Sequence, residues 1–350
     1  MRPGSSLRQG NKIVFVGEAY GEQEDKLKLP FVGSSGSELR RMIASAGIDS
    51  SICGFTNVFN LRPLANNVEL LCEKGRREAT APPFSVSLTK GLYLHPDYWP
   101  QVVGLYGDLA EINPTLVVPL GNTALWALTQ ASAKISRVRG TLARSPLGWK
   151  LLPTYHPAAV IRAWDLQPIV VADLMKAGRS FGDTNITRPE RSVLVEPTLE
   201  ELHEYFISKI FPAKRLSLDI ETRRFGSSYQ ITCVGIAVSR SDAIVVPFVR
   251  GNKSYWPTLE EELRAWWIVR ASFNSNVPKI LQNHFFDSYV MWRVLRMRTT
   301  NPVFDTLLSH HALYPELEKS LAFQGSIYTE EPAWKLDRPR GHKSNKGDEE

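Results

Sequence analysis

Three short loops bring together polar side chains that could do chemistry: Gly17-Glu18-Ala19-Tyr20-Gly21-Glu22-Gln23-Glu24-Asp25, Thr56-Asn57-Val58 and Thr154-Tyr155-His156-Pro157-Ala158-Ala159. Each follows an apolar run that reads as a strand, so each sits where ligand loops collect in an open α/β sheet. Taken singly, an Asn after a strand also serves as a turn or cap, His-Pro as a tight turn, and a Glu-rich loop as a solvated surface. A fourth feature lies further on. In Leu216-Ser-Leu-Asp-Ile-Glu-Thr222 the acids Asp219 and Glu221 are two residues apart, and the period of two in a strand turns both toward one face. With Asp287, about 60 residues later in Asn283-His-Phe-Phe-Asp287, they are candidate ligands for Mg²⁺ or Mn²⁺. For the Asp-x-Glu pair alone, a plain surface acid pair is the alternative.

The elements that position these residues follow from hydrophobic pattern. Lys12 to Val16 is a short apolar strand, and the helix from about Ser37 to Ala46 repeats Leu39, Met42, Ile43 and Ala46 at helical spacing before Gly47 caps it. Tyr98 to Ile112 reads as helix, Thr115 to Leu120 as a buried strand and Asn122 to Thr129 as a further helix, an alternation that predicts a doubly wound sheet. Asn66 to Pro96 is loop-rich. After a linker rich in polar residues, Gly and Pro, the runs Leu216 to Ile220, Ile231 to Val238 and Ala243 to Val249 predict a three-stranded antiparallel meander. Helices at Leu259 to Val269 and Ser288 to Leu295 should cover it.

Composition bounds the function. At 350 residues two domains are expected. Hydrophobic residues make 43% and charged residues 22%, which excludes disorder and coiled coil. No apolar run is long enough to span a bilayer and the first ten residues lack a signal-peptide core, so a soluble, cytoplasmic protein without a membrane partner is expected. Lys and Arg number 42 against 36 Asp and Glu, a net charge of +6, which favours an anionic partner. Cys53, Cys72 and Cys233 are too few and too scattered for a disulfide framework.

The ordered set GEAYGEQEDKLKLPFVG, TNVFNLRP, PLGNTAL and LPTYHPAAVIR resembles the uracil-DNA glycosylase superfamily, family 4 and related branches, over roughly residues 11 to 180. The resemblance implies an α/β/α domain that extrudes a nucleotide from single-stranded or uracil-containing DNA. By that resemblance Glu18 and His156 are the catalytic pair, Phe31 stacks on the base, Asn57 reads its edge, and Tyr20 and Glu24 complete the base pocket. Arg162 meets a DNA phosphate. Tyr20 stands where the family usually has proline, which bears on loop conformation and selectivity. Leu61 stands where family 4 has a cysteine ligand, so no iron–sulfur cluster is expected.

SLDIET, ILQNHFFD and FDTLLSHHALYPELEKSLAFQGSIYT resemble the proofreading 3′-5′ exonuclease domain of family A DNA polymerases, including phage ones, over about residues 213 to 335. That implies an RNase H-like (DnaQ-like) fold in which Asp219, Glu221 and Asp287 are three of four metal-binding acids. Asp305 is expected to be structural. The fourth acid belongs to a motif of Tyr, three residues and Asp, and Tyr328 is followed by Thr329, Glu330, Glu331 and Pro332 instead. The exonuclease domain is therefore expected to be incomplete, with little activity on its own, in a bacterial or phage-infected cell. A polymerase chain carrying the missing motif is the implied partner. The alternative is a noncatalytic DNA-binding module that tethers a polymerase. The expected domains are 1–185 (glycosylase-like), 186–212 (linker and lead-in helix), 213–335 (partial exonuclease) and 336–350 (charged tail).

Overall fold

The computed structural model describes residues 1–75 and 81–333; the expected charged tail lies outside them. The chain divides into two compact units, Met1–Thr187 together with the chain from Ala322 onward, and Arg188–Leu321. Among the described residues no helix is long and apolar enough to cross a membrane.

In the first unit, strand β1 (Ile13–Ala19) is followed by helices α1 (Glu22–Leu27) and α2 (Ser34–Ser45), then β2 (Cys53–Phe59), α3 (Trp99–Ile112), β3 (Leu116–Pro119), α4 (Gly121–Thr129), β4 (Lys150–Leu151), α5 (Pro157–Arg162) and α6 (Gln167–Ser180). The sheet order is β2-β1-β3-β4, all parallel, with Ala143–Arg144 antiparallel at the edge. β1 explains the layering. Its odd residues Ile13 and Phe15 join one apolar cluster with Leu39, Met42 and Leu174, while Val14 and Val16 join a second with Leu105, Leu109 and Trp126. Helices cover both faces, so every position of the strand is apolar where it crosses the middle. Truncating Phe15 to Ala would cost about 3–5 kcal/mol.

The chain moves from β1 outward to β2 and then returns past β1 to β3. That reversal opens a crevice at the carboxyl ends of β1 and β3, the place where such sheets take ligands. The loop-rich 66–96 region is better anchored than its composition suggests. Cys72–Lys74 pairs with Leu92–Leu94, Phe84 stacks on Trp99 at 4.5 Å, and Trp126 Nε1 donates to the Val86 carbonyl at 3.0 Å.

The second unit holds β5 (Ser192–Val195), α7 (Leu199–Tyr205), β6 (Leu216–Phe225), β7 (Ser228–Ala237), β8 (Asp242–Pro247), α8 (Leu259–Asn274), β9 (Lys279–Leu281), α9 (His284–Leu295), β10 (Pro302–Asp305) and α10 (Thr306–Leu313). Its sheet order is β10-β9-β6-β7-β8-β5. β6, β7 and β8 form the expected antiparallel meander, and β9 and β10 add in parallel on the β6 side. This is the mixed RNase H-like arrangement expected of the second domain.

Two boundaries differ from expectation. The 186–212 stretch is more than linker and helix, because β5 pairs in parallel with β8. As an edge strand it leaves Val193 and Val195 exposed, so no buried periodicity marked it. The last helix, α11 (Leu321–Tyr328), was expected within the exonuclease-like domain, yet from Ala322 it packs with the first unit. Buried cations of the first unit hold it there.

Candidate active site

The cavity at the carboxyl ends of β1 and β3 has a volume of about 630 Å³, and Glu18, Tyr20, Glu24, Phe31, Asn57, His156 and Arg162 all line it. Asn57 sits opposite Gly17 in the β1–β2 register. A Cβ at Gly17 would lie 2.3 Å from Asn57 Oδ1 and 2.5 Å from Phe31 Cζ. Only glycine therefore lets the amide and the ring converge over β1. Phe31 adopts φ 56°, a left-handed conformation unusual for a bulky residue. Its ring centroid is 6.1 Å from that of His156.

His156 caps α5. Its Nδ1 accepts from the Ala158 backbone N–H at 3.2 Å. A ring nitrogen that accepts carries no proton, so the neutral imidazole holds its hydrogen on Nε2 as a donor. Burial, followed by the charge of Arg162, pushes its pKa down to about 4, with Glu24 opposing. The ring is thus a neutral donor at physiological pH. Gly121 (φ 83°) makes room, since a Cβ there would meet His156 Cβ at 3.2 Å.

Glu18, next to last in β1, accepts from Thr123 Oγ1 at 2.5 Å. Burial raises its carboxyl pKa, while Thr123 and Arg162 pull it back. A carboxylate with a raised pKa suits proton abstraction from water. Glu24 is 9% exposed, and its Oε1 accepts from Gly33 N–H at 2.7 Å. It ties α1 to the start of α2. The hydroxyl hydrogen of Tyr20 is committed to the Gly4 carbonyl, so Tyr20 lines the cavity as wall and donates no hydrogen bond into it.

Two supports of the site leave no local mark in the sequence. Arg2 reaches across the chain: Nε to Asp108 Oδ2 at 2.7 Å, and guanidinium N–H groups to the carbonyls of Asn57, Val58 and Gln101 at 2.8, 3.0 and 2.7 Å. It fixes the end of β2 that carries Asn57. Thr123 was equally unmarked; its position two residues after Gly121, at the mouth of a strand, was the only signal.

A model of the uracil DNA glycosylase superfamily matches residues 6–175. The type-4 uracil-DNA glycosylase of Thermotoga maritima is 32% identical over 177 residues, covering 49% of this chain and 77% of that protein. The chain belongs to the uracil DNA glycosylase superfamily. The type-4 enzyme of Archaeoglobus fulgidus is 31% identical over 183 residues, with the same coverage. Among solved structures, the Aedes aegypti Nibbler EXO domain aligns with a TM-score of 0.32 at 12% identity, over 43% of this chain and 77% of that one. Brucella melitensis NrnC with bound Mg²⁺ aligns at a TM-score of 0.26 and 17% identity, over 39% of this chain. The chain spans 59% of NrnC's length. The second unit's fold rests on its own strand order.

The cysteines do not fit a superfamily cluster. Cys53 and Cys72 are the first unit's two thiols, each turned to a backbone carbonyl, of Asp49 and Val68, while Cys233 lies in the second unit, so four thiolates are not to hand.

The second constellation lies in the second unit. Asp219 and Glu221 do share the face of β6 opposite buried Leu218 and Ile220. Asp287, in the first turn of α9, is 3% exposed, and its Oδ2 lacks a hydrogen-bond partner. Burial, then Asp219, Asp305 and Glu221, push its pKa up to about 7. The three acids feel one another, but among the described residues no group of three or more His, Cys, Asp or Glu could hold a metal ion. The expected Mg²⁺ or Mn²⁺ ligand set is therefore not assembled by these three acids as placed. Asp305 is structural: it accepts from the backbone N–H groups of Asn283, His284, Leu307 and Leu308 and from the His284 ring. Burial acts to raise its pKa, and the bonds from His284, Leu308 and Asn283 outweigh that and hold it low.

Proposed function

We propose that the first unit removes uracil from DNA by hydrolysing its bond to deoxyribose. The observation that carries this reading is the Ala158–His156 bond, which leaves Nε2–H as a donor at the wall of a cavity shared with Asn57 and Phe31. Bond cleavage puts negative charge on the departing base and positive charge on the sugar. Phe31 stacks on the extruded base, the Asn57 amide offers both donor and acceptor to its edge, and His156 donates to the oxygen where anionic charge grows. Glu18 holds and deprotonates the attacking water. Arg162, exposed at the cavity's edge, meets a phosphate. Glu24 and Tyr20 shape the pocket.

Single-stranded DNA is the favoured substrate, since extrusion costs least where the base is unpaired. Incubation with uracil-, cytosine- and thymine-containing oligonucleotides followed by alkali tests the reading. Breaks at uracil alone are expected. No breaks at enzyme excess, with oligonucleotide binding retained, would favour the noncatalytic tethering module.

For the second unit we infer nucleic-acid trimming once a Tyr-x-x-x-Asp motif is supplied to its acids. The unpartnered Asp287 Oδ2 beside Asp219 and Glu221 favours this reading. A polymerase chain bearing the Tyr-x-x-x-Asp motif should confer Mg²⁺-dependent 3′-end trimming on mixing; a folded partner that confers none removes the reading.

A further inference from the structure

Behind the His156 loop the first unit buries three ionisable side chains: Arg139 (6% exposed), Asp173 (0%) and Lys176 (3%). Buried charges persist only when paired and hydrogen-bonded, so their partners reveal what the fold depends on. Arg139 grips Asp173 through two nitrogens, one at 2.9 Å. Its third contact, Nη1 to Ser326 Oγ at 3.1 Å, crosses 187 residues of sequence to α11. The Phe323 ring lies 4.8 Å from its guanidinium carbon.

Lys176 Nζ donates to the carbonyls of Gly140, Ser326 and Thr329 at 2.7, 2.9 and 2.5 Å. Two of these three acceptors come from the carboxyl end of α11, where helix carbonyls favour a cation. Burial still pushes the ammonium down to about 8.

The network ends at the imidazole loop. Thr154 Oγ1 donates to Asp173 Oδ2 at 2.6 Å, two residues before His156. The Thr154 backbone bonds Pro119 and Gly121, and Gly140 N–H donates to the Pro153 carbonyl at 2.8 Å. A Cβ at Gly140 would lie 2.5 Å from Asp173 Oδ1 and 3.2 Å from the Ser326 carbonyl, so loop, ion pair and α11 meet without slack.

We propose that Ala322–Thr329, the segment that returns to the first unit after the second, positions the His156 loop through Ser326, Arg139, Asp173 and Thr154. The positioning residues touch no substrate. They set where the imidazole sits, so base excision depends on chain that follows the second unit. This rests on reading the cavity as a base-excision site.

The test uses the full chain and three variants: Thr154→Val, which removes the hydroxyl at similar volume, Thr154→Ser, which keeps it, and Ser326→Ala. Two readouts are needed, single-turnover uracil release and titration of His156 by NMR of ¹³C-labelled histidine. Thr154→Val and Ser326→Ala should lower the single-turnover rate about tenfold or more with oligonucleotide affinity unchanged, and should move the His156 titration up toward that of a solvated histidine. Thr154→Ser should restore both. Should Thr154→Val not fold, Ser326→Ala decides alone. A folded Thr154→Val or Ser326→Ala with wild-type rate and wild-type His156 titration overturns the proposal. If the wild type releases no uracil, the function fails, yet the His156 titration still settles the positioning.

Discussion

In the proposed reaction His156 acts as a neutral donor to the departing base, and burial together with the Ala158 N–H bond holds the ring in that state. Replacing His156 or Asn57 by Ala should lower single-turnover excision about 10²–10³-fold, the usual cost of losing one donor to a developing oxyanion. The same burial affects stability. The ring's folded pKa, about 4, lies below its ordinary 6.5. The unfolded chain therefore takes up a proton as pH falls through 6.5, while the folded chain waits until about 4. Stability is complete above pH 6.5 and declines between 6.5 and 4 by roughly 3 kcal/mol. Urea denaturation at pH 7.5 and 4.5 should show this loss in the wild type and much less of it in His156→Asn. Gly17→Ala belongs at the same scale. Its new methyl would enter the space of Asn57 and Phe31, so excision should fall at least about tenfold while the protein stays folded; circular dichroism and the excision assay separate the two effects.

The elements around the site were legible wherever a local period exposed them. β1 reads as buried strand because every residue from Ile13 to Val16 is apolar, and α2 reads as helix because Leu39, Met42 and Ile43 repeat on one face. The meander showed itself through the alternation of Leu216, Leu218 and Ile220. Arg2 did not, since a cation paired with Asp108 across 106 residues leaves no local pattern. Arg2→Ala should cost about 1.5–3 kcal/mol, since buried Asp108 loses the guanidinium and keeps the residue-2 backbone N–H and the amino terminus, and should release the β2 end beneath Asn57; thermal unfolding measures it. α9 carries the opposite linkage. Asp287's folded pKa, about 7, lies above its ordinary 3.8. Its contribution is fully present below pH 3.8 and is lost as pH rises through 7. Asp287→Asn should therefore raise the melting temperature of the second unit at pH 8, by several degrees for a gain of ~2 kcal/mol, and should change little at pH 4.

At the scale of the whole molecule, the two-unit plan followed from length and from the change of texture near residue 190, while the path of the chain did not. The segment around Tyr328 carries an exonuclease-like pattern, yet its neighbours are Arg139 and Lys176. A buried polar contact between residues so distant in sequence cannot be read from either segment alone. The net charge of +6 predicts that oligonucleotide binding weakens steeply with salt as phosphate contacts release counterions, and fluorescence anisotropy from 50 to 200 mM salt would measure that slope.

The most direct measurement is release of free uracil from a single-stranded oligonucleotide under single-turnover conditions, by the wild type and by Asn57→Ala and His156→Ala. The wild type should release uracil, and each variant should bind the strand yet release uracil at least about a hundredfold more slowly. Equal rates in all three proteins would contradict convergence of these side chains on the base.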